Sequence, residues 1–183
     1  MQARKDNRLQ NFDYSTKGAY FVTICTKDRK KLLWKKNVGA VIDRPQITPH
    51  PQLNFIQINK ENLSKYGLIV DKAINQIDVI YENLASVEKY VIMPNHIHLI
   101  IRLQPPLDNA VCGQDAVCGR SMTAPTISRI IKQLKFYVTK QIDFSIWQKL
   151  FHYHIIRNDE EYKEIYKYID ENPTYWCNDC YYE

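Results

Sequence analysis

Two histidines one residue apart, His96 and His98, carry the clearest chemical potential in this sequence, within the run Pro94-Asn95-His96-Ile97-His98-Leu99-Ile100-Ile101-Arg102. Side chains alternate faces along a strand, so both imidazoles fall on one face and Ile97, Leu99 and Ile101 on the other. Imidazoles one pleat apart can share a cation, and the preceding Pro94-Asn95 turn places them near a sheet end that substrate can reach. Taken alone, a His-x-His pair is more often packed or solvated than metal-binding. His152 and His154 alternate in the same way and form a rival metal site or a phosphate-binding surface. A two-histidine phosphoesterase would carry His-x-Ser or His-x-Thr twice, and neither pair has a hydroxyl residue at that place.

A third group of residues lies near the C-terminus. Tyr162, Ile165, Tyr166 and Ile169 recur at helical spacing and define the face expected to pack on the core. Tyr168 and Asn172, four residues apart, form a stripe to its side with Glu161 nearby. Tyr168 is then not needed for packing, and its phenol suits a nucleophile beside an amide oxygen from Asn172 as third metal ligand. The chain holds 13 tyrosines, so periodicity alone selects none of them.

The elements that must position these groups are legible in outline. Residues 20–26 are rich in aromatic and β-branched side chains and read as a first strand, followed by a basic turn at 27–31. Residues 38–60 hold three prolines without a period and read as an insertion, with a short strand near 53–58. A helix is expected over 67–84, its stripe formed by Ile69, Ala73, Ile77, Ile80 and Leu84. Strands at 87–93 and 96–102 return on each other through Pro94-Asn95. Residues 103–125 form a surface loop, a second helix covers 126–140, and a last strand covers 147–156. Asn158, with Asp159, Glu160 and Glu161 behind it, is a helix start, and Pro173 prevents that helix from continuing. Strands adjoining their neighbours with helices between them argue for an α+β fold, one largely antiparallel sheet with helices on one face.

With 183 residues and 45% apolar content, the chain suits a single domain, 1–183, with a basic arm at 1–18. Residues 1–36 carry ten Lys or Arg against three Asp, a net of +7 against +5 for the whole chain, which suits a phosphate-rich partner. No stretch reads as a membrane span or cleavable leader, so a cytoplasmic protein is expected. Of five cysteines, Cys177 and Cys180 form Cys-x-x-Cys, and Cys112 and Cys118 sit in a near-duplicated Ala-Val-Cys-Gly. Free thiols are expected over a disulfide framework or zinc, and a small zinc-binding interaction protein built on Cys177 and Cys180 is a distant rival.

Four ordered blocks then carry a family resemblance: Tyr20-Phe21-Val22-Thr23 with its basic turn, Val91-Ile92-Met93-Pro94-Asn95-His96-Ile97-His98, Trp147-Gln148 with His154-Ile155-Ile156-Arg157-Asn158, and Tyr168-Ile169-x-x-Asn172-Pro173-x-x-Trp176. Over roughly residues 8–36 and 62–176 the chain resembles the single-tyrosine His-hydrophobic-His transposases, most closely the REP-associated tyrosine transposases. The resemblance implies a ferredoxin-like (RRM-like) sheet with a C-terminal tyrosine-bearing helix. It also implies a DNA transesterase that cuts and rejoins through a 5′-phosphotyrosine, with Tyr168 as nucleophile and His96, His98 and Asn172 holding one Mg²⁺ or Mn²⁺. His154 and Arg157 match recurring positions of the family. Single-stranded or hairpin DNA is the implied partner, met by Arg29, Lys30, Lys31, Lys132 and Lys135, with tyrosines free to stack bases. A homodimer that exchanges tyrosine helices is one arrangement found among such relatives. The competing reading is a catalytically silent relative that binds DNA or RNA hairpins.

Overall fold

Apolar and β-branched residues alternating in sequence form four strands in the computed structural model, which describes residues 17–35, 60–104, 125–176 and 181. The strands are β1 (Gly18–Cys25), β2 (Ala85–Ile92), β3 (His96–Leu103) and β4 (His152–Ile156). They pair antiparallel throughout, in the order β2-β3-β1-β4. The N-terminal arm, the short strand expected near 53–58, and Cys112, Cys118, Cys177 and Cys180 lie outside the described residues.

Register assigns the two faces of the sheet. Thr23 pairs with His98, Cys25 with His96 and Phe21 with Ile100 on β3, while Phe21 and Thr23 also face His154 and His152 on β4. All of these side chains therefore share one face. The other face presents Tyr20, Val22, Ile24, Ile97, Leu99 and Ile101, each fully buried. Against it lie helices α1 (Lys65–Tyr81) and α2 (Ile127–Ile142). Tyr90 of β2 donates to Asp71 Oδ1 of α1 over 2.7 Å and seats that helix. The third helix, α3 (Asp159–Glu171), crosses the opposite, histidine-bearing face. This is the α+β, ferredoxin-like sheet expected, with two helices on one face; that the tyrosine helix lies on the other face was not part of the expectation.

Caps fix where the helices begin. Ser64 accepts from the Tyr66 and Gly67 amides and Thr126 from the Arg129 amide, each meeting orphan donors of a first turn. At Gly67 the helix touches the chain segment ahead of it, because a Cβ there would stand 2.2 Å from the Leu33 carbonyl oxygen. Asn158 caps α3 by accepting from the Glu161 amide, while the Glu161 carboxylate reaches back to the Arg157 amide.

Three expectations need correction. The buried stripe of α1 is Val70, Ala73, Ile74 and Ile77, whereas Ile80 is 50% exposed. Tyr166, placed on the packing side of the last helix, is exposed, with the Lys89 ammonium 4.4 Å above its ring. The last strand begins at His152 rather than 147, because the Gln148 and Leu150 carbonyls accept from the Lys135 ammonium (2.9 and 3.1 Å) and Trp147 makes only an isolated bridge to Thr26.

Candidate active site

His96 and His98 occupy the first turn-proximal positions of β3, and the turn before them is clamped from several sides. The Asn95 carbonyl accepts both the amide and the hydroxyl of Thr26 (2.8 and 2.9 Å), and the Pro94 carbonyl accepts the Leu33 amide. These bonds satisfy a buried turn and fix the angle at which the strand enters the sheet. Both imidazoles are buried, and their Nε2 atoms converge to 3.0 Å. The Nδ1 atoms are held from behind, His96 by Asn95 Oδ1 and His98 by Thr23 Oγ1, each at 2.8 Å. Such outer partners orient an imidazole pair so that both Nε2 atoms address one point. Burial foremost, and then the Arg29 guanidinium, lower the His96 pKa to about 3, so that ring is neutral at physiological pH.

Helix α3 brings a phenol to the same point. Ile169 packs into the core, and this anchor leaves its neighbour Tyr168 41% exposed with Oη 3.3 Å from His98 Nε2. Phe21 stacks on His98 with ring centroids 5.1 Å apart and meets Tyr168 edge-on at 6.1 Å. On the other flank of the helix, Lys89 of β2 pairs with Asp170 at 2.6 Å. Roll of the helix is thus restrained on both sides of Tyr168. Asn172 caps the C-terminus of α3, buried, with its backbone N–H donating to the Tyr168 carbonyl at 2.9 Å.

Aromatic rings from the C-terminal segment complete the walls. Tyr181 lies 4.7 Å from His96 and 5.9 Å from His98 between ring centroids, and its carbonyl accepts from Asn95 Nδ2. Trp176 is 5.8 Å from His96. Arg29 lies over the Tyr181 ring and Lys31 over that of Trp176, which sets two cations of the basic turn at the edge of the site. Lys30 is exposed on the same turn.

The remaining residues singled out in the sequence are placed elsewhere. Lys132 and Lys135 belong to α2, on the far side of the sheet, and the Lys135 ammonium is engaged by two carbonyls. They are not part of this site. His154 shares the histidine face but bonds Glu161 at 2.5 Å, and Arg157 meets the same carboxylate through its amide. The Arg157 amide and then His154 lower the Glu161 pKa. His152 is exposed, and among the described residues no group of three His, Cys, Asp or Glu converges as a metal cage. Sequence reading missed Thr23, Asn95 and Tyr181. The Asn95–His96 adjacency was a usable signal, whereas Thr23 meets His98 only through register.

The donor set fits a divalent cation. The Nε2 atoms of His96 and His98 converge to 3.0 Å with each Nδ1 held from behind, an arrangement in which the two imidazoles can hold one ion between them. Two imidazoles by themselves form a sparse set that leaves room for phosphate oxygens and water.

No model of a known protein family matches the chain. It is 29% identical over 189 residues to an uncharacterized protein of Haemophilus influenzae, covering 98% of this chain and 93% of that one. Among solved structures, the REP-associated tyrosine transposase bound to a REP hairpin matches 91% of this chain and 73% of its own length at 19% identity, with a TM-score of 0.51. The α+β architecture described above is therefore one that this chain shares with that transposase.

Proposed function

We propose that the chain is a REP-associated-type tyrosine transposase, a metal-dependent transesterase acting on single-stranded DNA at hairpin-forming repeats. One observation carries the reading: a half-exposed phenol stands 3.3 Å from one of two imidazoles whose Nε2 atoms converge to 3.0 Å. The shared fold and the hairpin named for the structural neighbour support the choice of substrate. In this reading His96 and His98, with Asn172 as polar third ligand, hold one Mg²⁺ or Mn²⁺. Such an ion supplies charge neutralisation for a phosphate whose negative charge grows in the transition state.

Tyr168 Oη attacks the scissile phosphorus, the bond to the 3′ oxygen breaks, and that oxygen takes up a proton. The products are a 5′-phosphotyrosine and a free 3′-hydroxyl, and attack by a 3′-hydroxyl reverses the step without ATP. A phenol's ordinary pKa of about 10 requires that its proton leave with or before attack. Arg29 and Lys31 at the rim offer positive charge to the DNA backbone, and Phe21 and Tyr181 offer ring faces and edges to unpaired bases.

The test mixes purified protein with hairpin-bearing single-stranded DNA and Mg²⁺ or Mn²⁺ and looks for a covalent protein–DNA band. The band is expected with the wild type and Tyr166→Phe, and lost in Tyr168→Phe and His96→Ala. A band that survives Tyr168→Phe reassigns the nucleophile. Hairpin binding without any band in the wild type overturns catalysis in favour of a binding-only role.

A further inference from the structure

Helix α3 carries the phenol yet is held to the sheet by little apolar packing. Of its side chains only Ile169 is buried, with Tyr162 and Ile165 partly buried against the core. One pin and two partial contacts fix where the helix lies more firmly than how far it is rolled about its own axis. Roll matters here, because side-chain tips stand about 5–6 Å from a helix axis and a turn of about 10° moves them by about 1 Å. A misplacement of that size costs reacting groups up to about 100-fold in rate.

The edge strand β2 supplies a hold on the roll. Val87 pairs with Ile101 and Lys89 with Ile100, so Glu88 is an extra residue without a partner of its own, a β-bulge. Regular alternation would send only one of two consecutive side chains to the α3 face. Here both reach it: the Glu88 carboxylate bonds the guanidinium of Arg102, which shares that face, and Lys89 Nζ donates to Asp170 Oδ1 of α3 at 2.6 Å. Arg102 in turn lies 5.8 Å over the Tyr162 ring, and Lys89 lies 4.4 Å over the Tyr166 ring. Tyr162, Tyr166 and Asp170 are four residues apart and form one row along the helix. At 3.6 residues per turn, Tyr166 and Asp170 each stand about 160° around the axis from Tyr168. The sheet's cations thus hold the side of the helix that faces away from the phenol, where they resist roll without occupying the site. The Asp170 side chain is 62% exposed, and ion pairs so exposed add little to stability. The consequence of this pair is orientation.

We propose that Lys89 is a positioning residue: from its bulged edge strand it fixes the roll of α3 and so aims the Tyr168 phenol at His96 and His98. The inference rests on the transesterase reading of the site.

The test compares full-length Lys89→Met, Lys89→Arg and Asp170→Asn proteins with the wild type. It measures the rate of covalent-band formation on hairpin-bearing single-stranded DNA with Mn²⁺ as the DNA concentration is varied, and the denaturant midpoint of each protein. Lys89→Met and Asp170→Asn are expected to slow the band at saturating DNA by about 10–100-fold. The half-saturating DNA concentration and the midpoint are expected to stay at wild-type values, and Lys89→Arg to restore the rate. Wild-type speed in Lys89→Met, or a loss that more DNA overcomes, overturns the positioning role and leaves the transesterase standing; the second of these makes Lys89 a DNA contact. A rate that falls only in step with the midpoint makes Lys89 a stability residue and overturns the role as well. No band in the wild type overturns the transesterase itself, and the role of Lys89 with it.

Discussion

Tyr168 stands clear of the core because its neighbour does the packing: Ile169 is 1% exposed and Tyr168 is 41% exposed. The place of Tyr168 beside Ile169 rather than on the packed face was readable from helical spacing, as was the convergence of His96 and His98 from a period of two. What could not be read was the second layer. Thr23 reaches His98 across 75 positions of sequence, through a strand register that emerges only when the sheet forms. Asn95, by contrast, adjoins His96, and its role can be tested separately from the chemistry. Asn95→Ala removes the acceptor of a buried imidazole N–H and the donor to the Tyr181 carbonyl. The expected cost is about 1–3 kcal/mol of stability, the usual penalty for stranding a buried polar group. Denaturant unfolding of the variant checks it, and an unchanged midpoint would show that the His96–Asn95 contact does not hold the ring.

Elements were legible where local signals agreed with tertiary packing and misread where tertiary contacts overrode them. Ser64, Thr126 and Asn158 start their helices as their residue types suggest. The last strand was read five residues too long, since nothing in the 147–151 segment says that two of its carbonyls will be taken by Lys135 from another element. Gly67 shows the same conflict in energetic form. Glycine in a helix ordinarily costs roughly 0.5–1 kcal/mol relative to alanine, so propensity alone makes Gly67→Ala stabilising. Here the new Cβ would stand 2.2 Å from the Leu33 carbonyl oxygen, a backbone atom, and 3.1 Å from Leu63 Cβ. That carbonyl also accepts the Ser64 amide at 2.9 Å, so moving it disturbs the helix cap. The clash wins, and Gly67→Ala is expected to lower stability by about 1–3 kcal/mol, as overpacked sites do. Higher thermal stability in the variant would show that the segment at Leu33 yields freely.

At the scale of the molecule, the site is assembled within one chain: Tyr168 of α3 reaches His98 of its own β3, and Lys89 of β2 pairs with Asp170 of the same helix. Cleavage in cis follows from the proposed function, and mixing Tyr168→Phe with His96→Ala protein is expected to restore no covalent band. Recovery of the band would require exchanged helices, because only then does an intact phenol meet an intact histidine pair. A second whole-molecule consequence concerns stability against pH. Lys135 tethers α2 to the segment entering β4, and burial pushes its ammonium down to about 8 although two carbonyls favour the charged form. Its unfolded value is about 10.4. Between these values the unfolded chain holds the proton that the folded chain has released, so this group makes stability rise with pH across that interval. Below about pH 8 both states are protonated and its contribution is flat. Tyr81 and Tyr90, whose pKa values burial raises, act in the opposite sense above about pH 10. The Lys135 contribution is therefore isolated by comparing wild type with Lys135→Met at each pH. The difference in unfolding free energy is expected to be level up to about pH 8 and to shift in favour of the wild type from there to about pH 10. Parallel stability curves across that window would mean that the two carbonyls hold the ammonium charged despite its burial.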